Sequence, residues 1–338
     1  MKRVAVILTC GLLLGGAIGL LGAPQANQAA APAPPLWAFP VAPAAPRGAA
    51  GGGGGAPAAA PDTSPKSVPG TTVTLTQAQV RDSYNIPDWH PDGHPALPEI
   101  VGHGRRPAVI SCGYCHLPNG QGRPENSSVA GLPAAYIIQQ MADFKNGLRK
   151  SSESRLGPQN LMVNIGKAAT DAEVQAAAEY FSKLKLKPWI RVVETAMVPK
   201  TKIAGGMFSA IEDGGTEPIG NRIIVLPQDP ARAHGRDPHS GFVDYVPVGS
   251  LAKGKALVTS GGSGQTIPCA ICHGASLKGL GEVPGIAGRP PIYVVRQLND
   301  MQNGNRTGSL AELMKAVVAK LGIEDMVAIA AYLGSLEP

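Results

Sequence analysis

Cys112-Gly-Tyr-Cys115-His116 and Cys269-Ala-Ile-Cys272-His273 are two copies of one pattern, Cys-x-x-Cys-His, in a chain of 338 residues. Two thiols separated by two residues can add across the two vinyl groups of one porphyrin. The histidine that follows directly is then placed to bind the iron from below the ring. The string is the attachment signature of c-type haem. Two copies predict two covalently bound haem c groups, with His116 and His273 as proximal iron ligands. Paired Cys-x-x-Cys strings also build tetrahedral zinc sites. Zinc ribbons, however, place their pairs roughly 15–20 residues apart and give no role to a histidine after each pair. A thioredoxin-like dithiol explains neither the duplication nor the histidines.

Composition agrees with this reading. Of five cysteines, Cys10 lies in the N-terminal apolar stretch and the other four belong to the motifs, so none remains for a structural disulfide. Aromatic residues make up only 4% of the chain, too little bulk for two ordinary cores. Two haem discs fill that deficit, and the chain without them is expected to fold poorly. The net charge of +6 comes without a basic run or interleaved aromatics, which argues against nucleic acid. It is compatible with an acidic docking partner.

Met1–Ala23 opens with Lys2 and Arg3 and runs apolar from Val4, the layout of an export signal. The run is also about long enough to be retained as an N-terminal membrane anchor. Residues 24–70 are rich in Ala, Pro and Gly and read as a disordered tether. Thr76–Ser83 reads as a short helix and Pro87–Pro98 as loop.

The chain repeats itself. At a constant offset of 157, Cys112 matches Cys269, Pro133 matches Pro290, Tyr136 matches Tyr293, Gln140 matches Gln297 and Arg149 matches Arg306. The offset then becomes 152, and Met162 matches Met314 and Tyr180 matches Tyr332. Each repeat reads as mostly helical. The predicted helices are Ala134–Asn146, Thr170–Leu184 with a Thr170-x-x-Glu173 capping box, Ser250–Val258, Pro291–Asn303, and Ile323–Leu336 with a weaker start at Gly322. A loop is expected to carry each matched methionine. Between the repeats, Trp189–Glu194, Arg222–Leu226 and Phe242–Val246 are β-branched or aromatic runs bounded by Gly and Pro, and they read as short strands.

The sixth iron position separates an electron carrier from an enzyme. A thioether is the usual partner in electron-transfer c haems. Of the methionines, Met162 and Met314 alone are methionine in both repeats, which makes them the expected distal ligands. His90, His94, His103, His234 and His239 are rivals without counterparts in the other repeat. Arg149 and Arg306 read either as partners of haem propionates or as solvated cations at helix ends. The Pro284 carbonyl is placed to accept a hydrogen bond from the His273 ring, and Ser127 occupies the matching place in the first repeat, a difference that predicts unlike surroundings and potentials for the two haems.

The two motifs, the downstream methionines and the final helix ending Ala-Ala-Tyr332 resemble class I cytochrome c domains. Their tandem arrangement is similar to the periplasmic dihaem cytochromes of the c4 kind. The resemblance covers residues 112–187 and 250–338. It implies His/Met ligation, a helical fold around each haem and one-electron shuttling in the periplasm, with no catalytic residue. The expected fold is mostly α. It comprises a signal peptide or anchor at 1–23, a tether at 24–70, a first cytochrome c domain with its lead-in at 71–187, a short-strand insert at 188–249 and a second cytochrome c domain at 250–338. The expected function is electron transfer in a respiratory chain, from a quinol-oxidising complex or dehydrogenase to a terminal oxidase or reductase. A cytochrome subunit of a dehydrogenase or oxidase complex and a dihaem peroxidase are the alternatives.

Overall fold

The apolar spacing of Ile137, Met141 and Phe144 winds Ala134–Lys145 into a helix (α1), which ends where Gly147 takes a positive φ of 69°. A computed structural model of the chain describes residues 34–41 and 63–338. The predicted leader at 1–23 and most of the stretch 24–70 lie outside the described residues. In the first repeat α1 packs against Gly157–Ala168 (α2) and Asp171–Ser182 (α3). The capping box of α3 is complete: Thr170 Oγ1 accepts from the Glu173 amide at 3.2 Å, and the Glu173 carboxylate accepts from the Thr170 amide at 2.7 Å. The loop expected around Met162 is instead α2, with Pro158 in its first turn and Leu161, Met162 and Ile165 on its inner side. A single helical turn, Glu99–Gly102, packs against α3 and supplies Ile100 and Val101 to the core.

The insert forms a three-stranded sheet. Ile190–Glu194 (β1) runs parallel to Phe242–Val246 (β3), and β3 pairs antiparallel with Ile224–Pro227 (β2). All three fall on the predicted runs. Two further small ladders, Met197–Pro199 with Thr216–Pro218 and Thr201–Ala204 with Met207–Ala210, were not legible as strands. The second turns through Gly205 and Gly206, both at positive φ, as a two-residue hairpin requires. Trp189, Phe242 and Val246 of the insert share one core with the second repeat. Toward the first repeat, Asn119 and Gln121 donate to the carbonyls of Pro238 and Ser240, each at 2.9 Å.

The second repeat contains Ser250–Ser260 (α4), Pro291–Gln302 (α5) and Ile323–Gly334 (α6). Gly322 offers α6 no side-chain cap, and only the Asp325 carboxylate, accepting from the Gly322 amide at 3.1 Å, marks its start. That is the weaker start expected from the sequence. Met314 sits between two short turns, Ser309–Glu312 and Lys315–Val318, where the first repeat has the continuous α2. Helices α4 and α6 cross so closely at Gly254 that a Cβ there would strike the backbone of Ala328.

Two parts of the Ala/Pro/Gly stretch are built into the fold. Leu36–Ala38 forms a 3₁₀ turn whose Ala38 and Phe39 are buried, and Arg296 donates to the Ala38 carbonyl at 2.9 Å. Pro65–Lys66 pairs with Leu75–Thr76. The expected disorder therefore does not extend to these segments, because the Leu-Trp-Ala-Phe island carries enough apolar surface to dock.

The repeats clasp one another through an exchanged pair of contacts. Arg149 donates to the Tyr293 hydroxyl at 2.9 Å and to Gln297 at 3.1 Å. Reciprocally, Arg306 donates to the Tyr136 hydroxyl and to Gln140, each at 2.8 Å. The backbone joins in, with the Lys150 amide on the Asn305 carbonyl and the Thr307 amide on the Leu148 carbonyl, both at 2.7 Å. Both guanidinium groups are buried, so the reading of these arginines as solvated cations is set aside.

Gly254→Ala is expected to destabilise the haem-loaded protein by about 1–3 kcal/mol, because the closest helix crossing must open. Denaturant unfolding followed by circular dichroism checks this. Arg306→Ala leaves the Tyr136 hydroxyl oxygen without its buried donor, and Gln140 with Arg149 alone, and should cost about 2–3 kcal/mol. A double-mutant cycle with Tyr136→Phe should show that the two changes are not additive.

Candidate functional site

One helical turn places the paired thiols and the histidine. Cys112–His116 is such a turn, and Ala270–His273 is its counterpart with Cys269 at the N-cap. Residues three apart share a helix side, so the two sulfurs of each motif face one way. The four thiols are free. Burial pushes the Cys112 thiol up to about 12 and Cys269 up to about 11, and raises Cys115 as well, which keeps them protonated.

Burial lowers the pKa of both His116 and His273, so each imidazole is neutral near pH 7. Nδ1 of His116 lies 2.8 Å from the Ser127 carbonyl, and Nδ1 of His273 lies 2.8 Å from the Pro284 carbonyl. A carbonyl only accepts, so Nδ1 carries the proton and Nε2 keeps its lone pair for a metal. Both carbonyls accept alike, so the difference expected between the Ser127 and Pro284 positions does not appear at this hydrogen bond. Just past each histidine the chain turns through a positive φ, at Leu117 (62°) and Gly274 (81°). Three residues on, Gly120 and Leu277 show the same conformation with the residue types exchanged.

A cavity of about 640 Å³ runs between the repeats and is lined by all eight predicted residues: Cys112, Cys115, His116, Met162, Cys269, Cys272, His273 and Met314. Met141 and Met301 also line it, while Met326 is buried in the second core instead. None of the rival histidines reaches the cavity. His90 contacts Asp237 at 3.1 Å, His94 contacts Asp88 at 3.1 Å, and His103 contacts Asn85 at 2.9 Å.

The cavity wall is apolar with buried cations set into it. Arg149, Arg289, Arg296 and Arg306 are buried, and no ion pair joins any of them to a carboxylate among the described residues. They donate to neutral oxygens instead: Arg289 to the Ser128 and Ala130 carbonyls, and Arg296 to those of Ala38 and Pro124. Burial lowers the Arg289 and Arg296 pKa to about 10 each. The Nε atoms of Arg123, Arg149 and Arg306 are buried without a hydrogen-bond partner. An apolar disc carrying two carboxylates answers both features, and haem c is such a group. Zinc does not fit, since among the described residues the four thiols do not gather at one point. Arg289 and Arg296 were missed in the sequence because their partners in the repeat are Leu132 and Gln139, so matching across the repeats passes over them.

No family model matches the chain. It is 26% identical over 68% of its length to a thiosulfate dehydrogenase electron acceptor from Thiomonas intermedia, covering 80% of that protein. It is 25% identical over 69% of its length to cytochrome c4 from Pseudomonas aeruginosa, covering 87% of it. Over 29% of its length it is 31% identical to the cytochrome subunit of a sulfide dehydrogenase from Chlorobaculum tepidum, of which it covers 81%. With the twice-repeated attachment motif, the paired neutral imidazoles and these relatives together, the chain belongs to the c-type cytochromes, electron-transfer proteins of the cytochrome c4-like kind.

Proposed function

We propose that the chain carries two haem c groups, one per repeat, in tandem cytochrome c domains at 71–187 and 250–338 bridged by the insert at 188–249. Cys112 and Cys115 would hold the first haem covalently, with His116 and Met162 as its iron ligands. Cys269, Cys272, His273 and Met314 would do the same for the second. The observation that carries this reading is the matched Nδ1–carbonyl hydrogen bond at His116 and His273, which presents two metal-ready Nε2 atoms to one cavity. His/Met ligation favours ferrous iron and leaves no vacant coordination site, which suits one-electron shuttling and not peroxide chemistry.

The two motifs differ in cover. Tyr114 of the first lies under the Arg236 guanidinium, 3.6 Å from the ring centroid. Its counterpart Ile271 is 64% exposed, and Leu313 nearby in sequence to Met314 is 69% exposed. Electrons are therefore proposed to pass to and from partner proteins chiefly at the second repeat, through a small apolar patch suited to transient docking. The setting is the periplasm, reached by the N-terminal export segment or held to the membrane by it. Among the described residues no helix is long and apolar enough to cross a membrane. The donors are a quinol-oxidising complex or a dehydrogenase, and the acceptor is a terminal oxidase or reductase. The dehydrogenase-associated relatives favour a second reading, a cytochrome subunit bound to its enzyme. Stable co-elution with a dehydrogenase on gel filtration distinguishes it.

Spectroelectrochemical titration of the purified protein is expected to resolve two irons per chain, and acid–acetone should leave the colour on the polypeptide. Cys112→Ala or Cys269→Ala should each remove one haem. Met162→Ala and Met314→Ala should each abolish about half of the far-red charge-transfer band of the oxidised protein. If Met141→Ala or Met301→Ala did so, the ligand assignment would be wrong. Ile271→Asp should slow stopped-flow reduction by a periplasmic dehydrogenase while leaving both potentials in place, and Tyr114→Asp should slow it less.

A further inference from the structure

Outside the cavity, the lead-in and the insert bring three donor side chains together. His90, Asp237 and His239 each offer one ligand atom, and these atoms lie within 4.8 Å of one another, the one such cluster among the described residues. His90 comes from a segment 147 residues away from Asp237. We propose that His90, Asp237 and His239 form a binding site for a divalent transition-metal ion of the zinc class, which pins the lead-in to the insert.

The geometry suits such an ion. Nε2 of His90 lies 3.1 Å from Oδ1 of Asp237. Two ligand atoms each about 2.0–2.1 Å from a tetrahedral zinc lie roughly 3.3 Å apart, so a metal needs little movement of this pair. The His90 and His239 rings stack with centroids 3.9 Å apart and planes inclined by 26°, so the exposed His239 ring turns out of the stack to bring its nitrogen onto the ion. Two nitrogens and one carboxylate oxygen form a donor set that such ions accept.

The carboxylate is held from behind. Asp237 is fully buried, and its Oδ2 accepts from Arg232 Nε at 2.6 Å, while Oδ1 also accepts from the His239 amide at 2.9 Å. Contacts of this kind orient a ligand before the metal arrives. His239 is exposed, which gives the ion a path in and leaves room for water at the remaining position. The segment is tied to the rest of the molecule on both sides. Trp89, next to His90, donates to the Gly235 carbonyl at 2.8 Å, and Arg236, next to Asp237, donates to the Tyr114 carbonyl at 2.7 Å.

The test uses tag-free, haem-loaded full-length protein, stripped with EDTA and titrated with zinc chloride in a calorimeter. Metal content is then read by mass spectrometry after gel filtration. One equivalent of zinc per chain is expected, with the iron content unchanged. His239→Ala, a change at an exposed side chain, should weaken zinc binding at least 10-fold, and His90→Ala/His239→Ala should abolish it. His94→Ala, whose imidazole contacts Asp88 instead, should bind as the parent does. The proposal is overturned if the parent takes up no stoichiometric zinc, or if it and the double variant bind zinc equally. Because iron and zinc are counted separately, either result leaves the haem assignment standing on its own evidence.

Discussion

Buried guanidinium groups that form no direct ion pair with a carboxylate among the described residues are the constraint around which this molecule is arranged. Removing a guanidinium from water costs several kcal/mol unless an anion or a full set of hydrogen bonds offsets it. Arg149, Arg289, Arg296 and Arg306 meet only neutral oxygens, drawn from both repeats and from the docked Ala38 segment. Each therefore recruits a distant part of the chain as an acceptor. All four line the cavity, where the carboxylates of the proposed haem groups would complement them. On the proposed haem loading, folding and cofactor binding would be coupled through the same four side chains.

The surroundings of the two sites differ although their inner geometry is the same. The lead-in and the insert close over the first motif, through Arg236 on Tyr114 and through the carbonyls of Pro238 and Ser240. In the second repeat Ile271 and Leu313 are exposed apolar side chains. The surroundings of the two motifs thus differ in polarity and solvent access, which would set different potentials for the two proposed haems. Duplication supplies two equivalent binding units, and the additions outside the repeats make them inequivalent.

Much of this was legible in the sequence, and what was not has physical reasons. The attachment motifs are local and chemically demanding, so five residues sufficed to read each. The helix after Pro133 and the strands at 190–194 and 242–246 followed from spacing and β-branched content. Helix α2 was read as a loop because the five-residue length difference falls beside it and its counterpart is broken into two turns. The docking of Leu36–Phe39 was masked by the Ala/Pro composition on either side. Arg149 and Arg306 were visible as matched cations, but a charge at a helix end does not announce burial. Their partners lie 144 and 170 residues away. The meeting of His90 with Asp237 was equally hidden, since proximity at that separation is a property of the tertiary fold alone.

The exchanged contacts between the repeats have the form of a two-fold interface: position 149 of one half meets position 293 of the other, and position 306 meets position 136. That is the isologous pattern by which two identical subunits associate, where a patch is complementary to itself. A single repeat thus bears a self-matching face, and two separate copies would satisfy the same arginines and tyrosines that one chain satisfies internally. The covalent link through the insert converts what would be a concentration-dependent dimer into an intramolecular pair, and so keeps the two attachment motifs together in one molecule at any dilution.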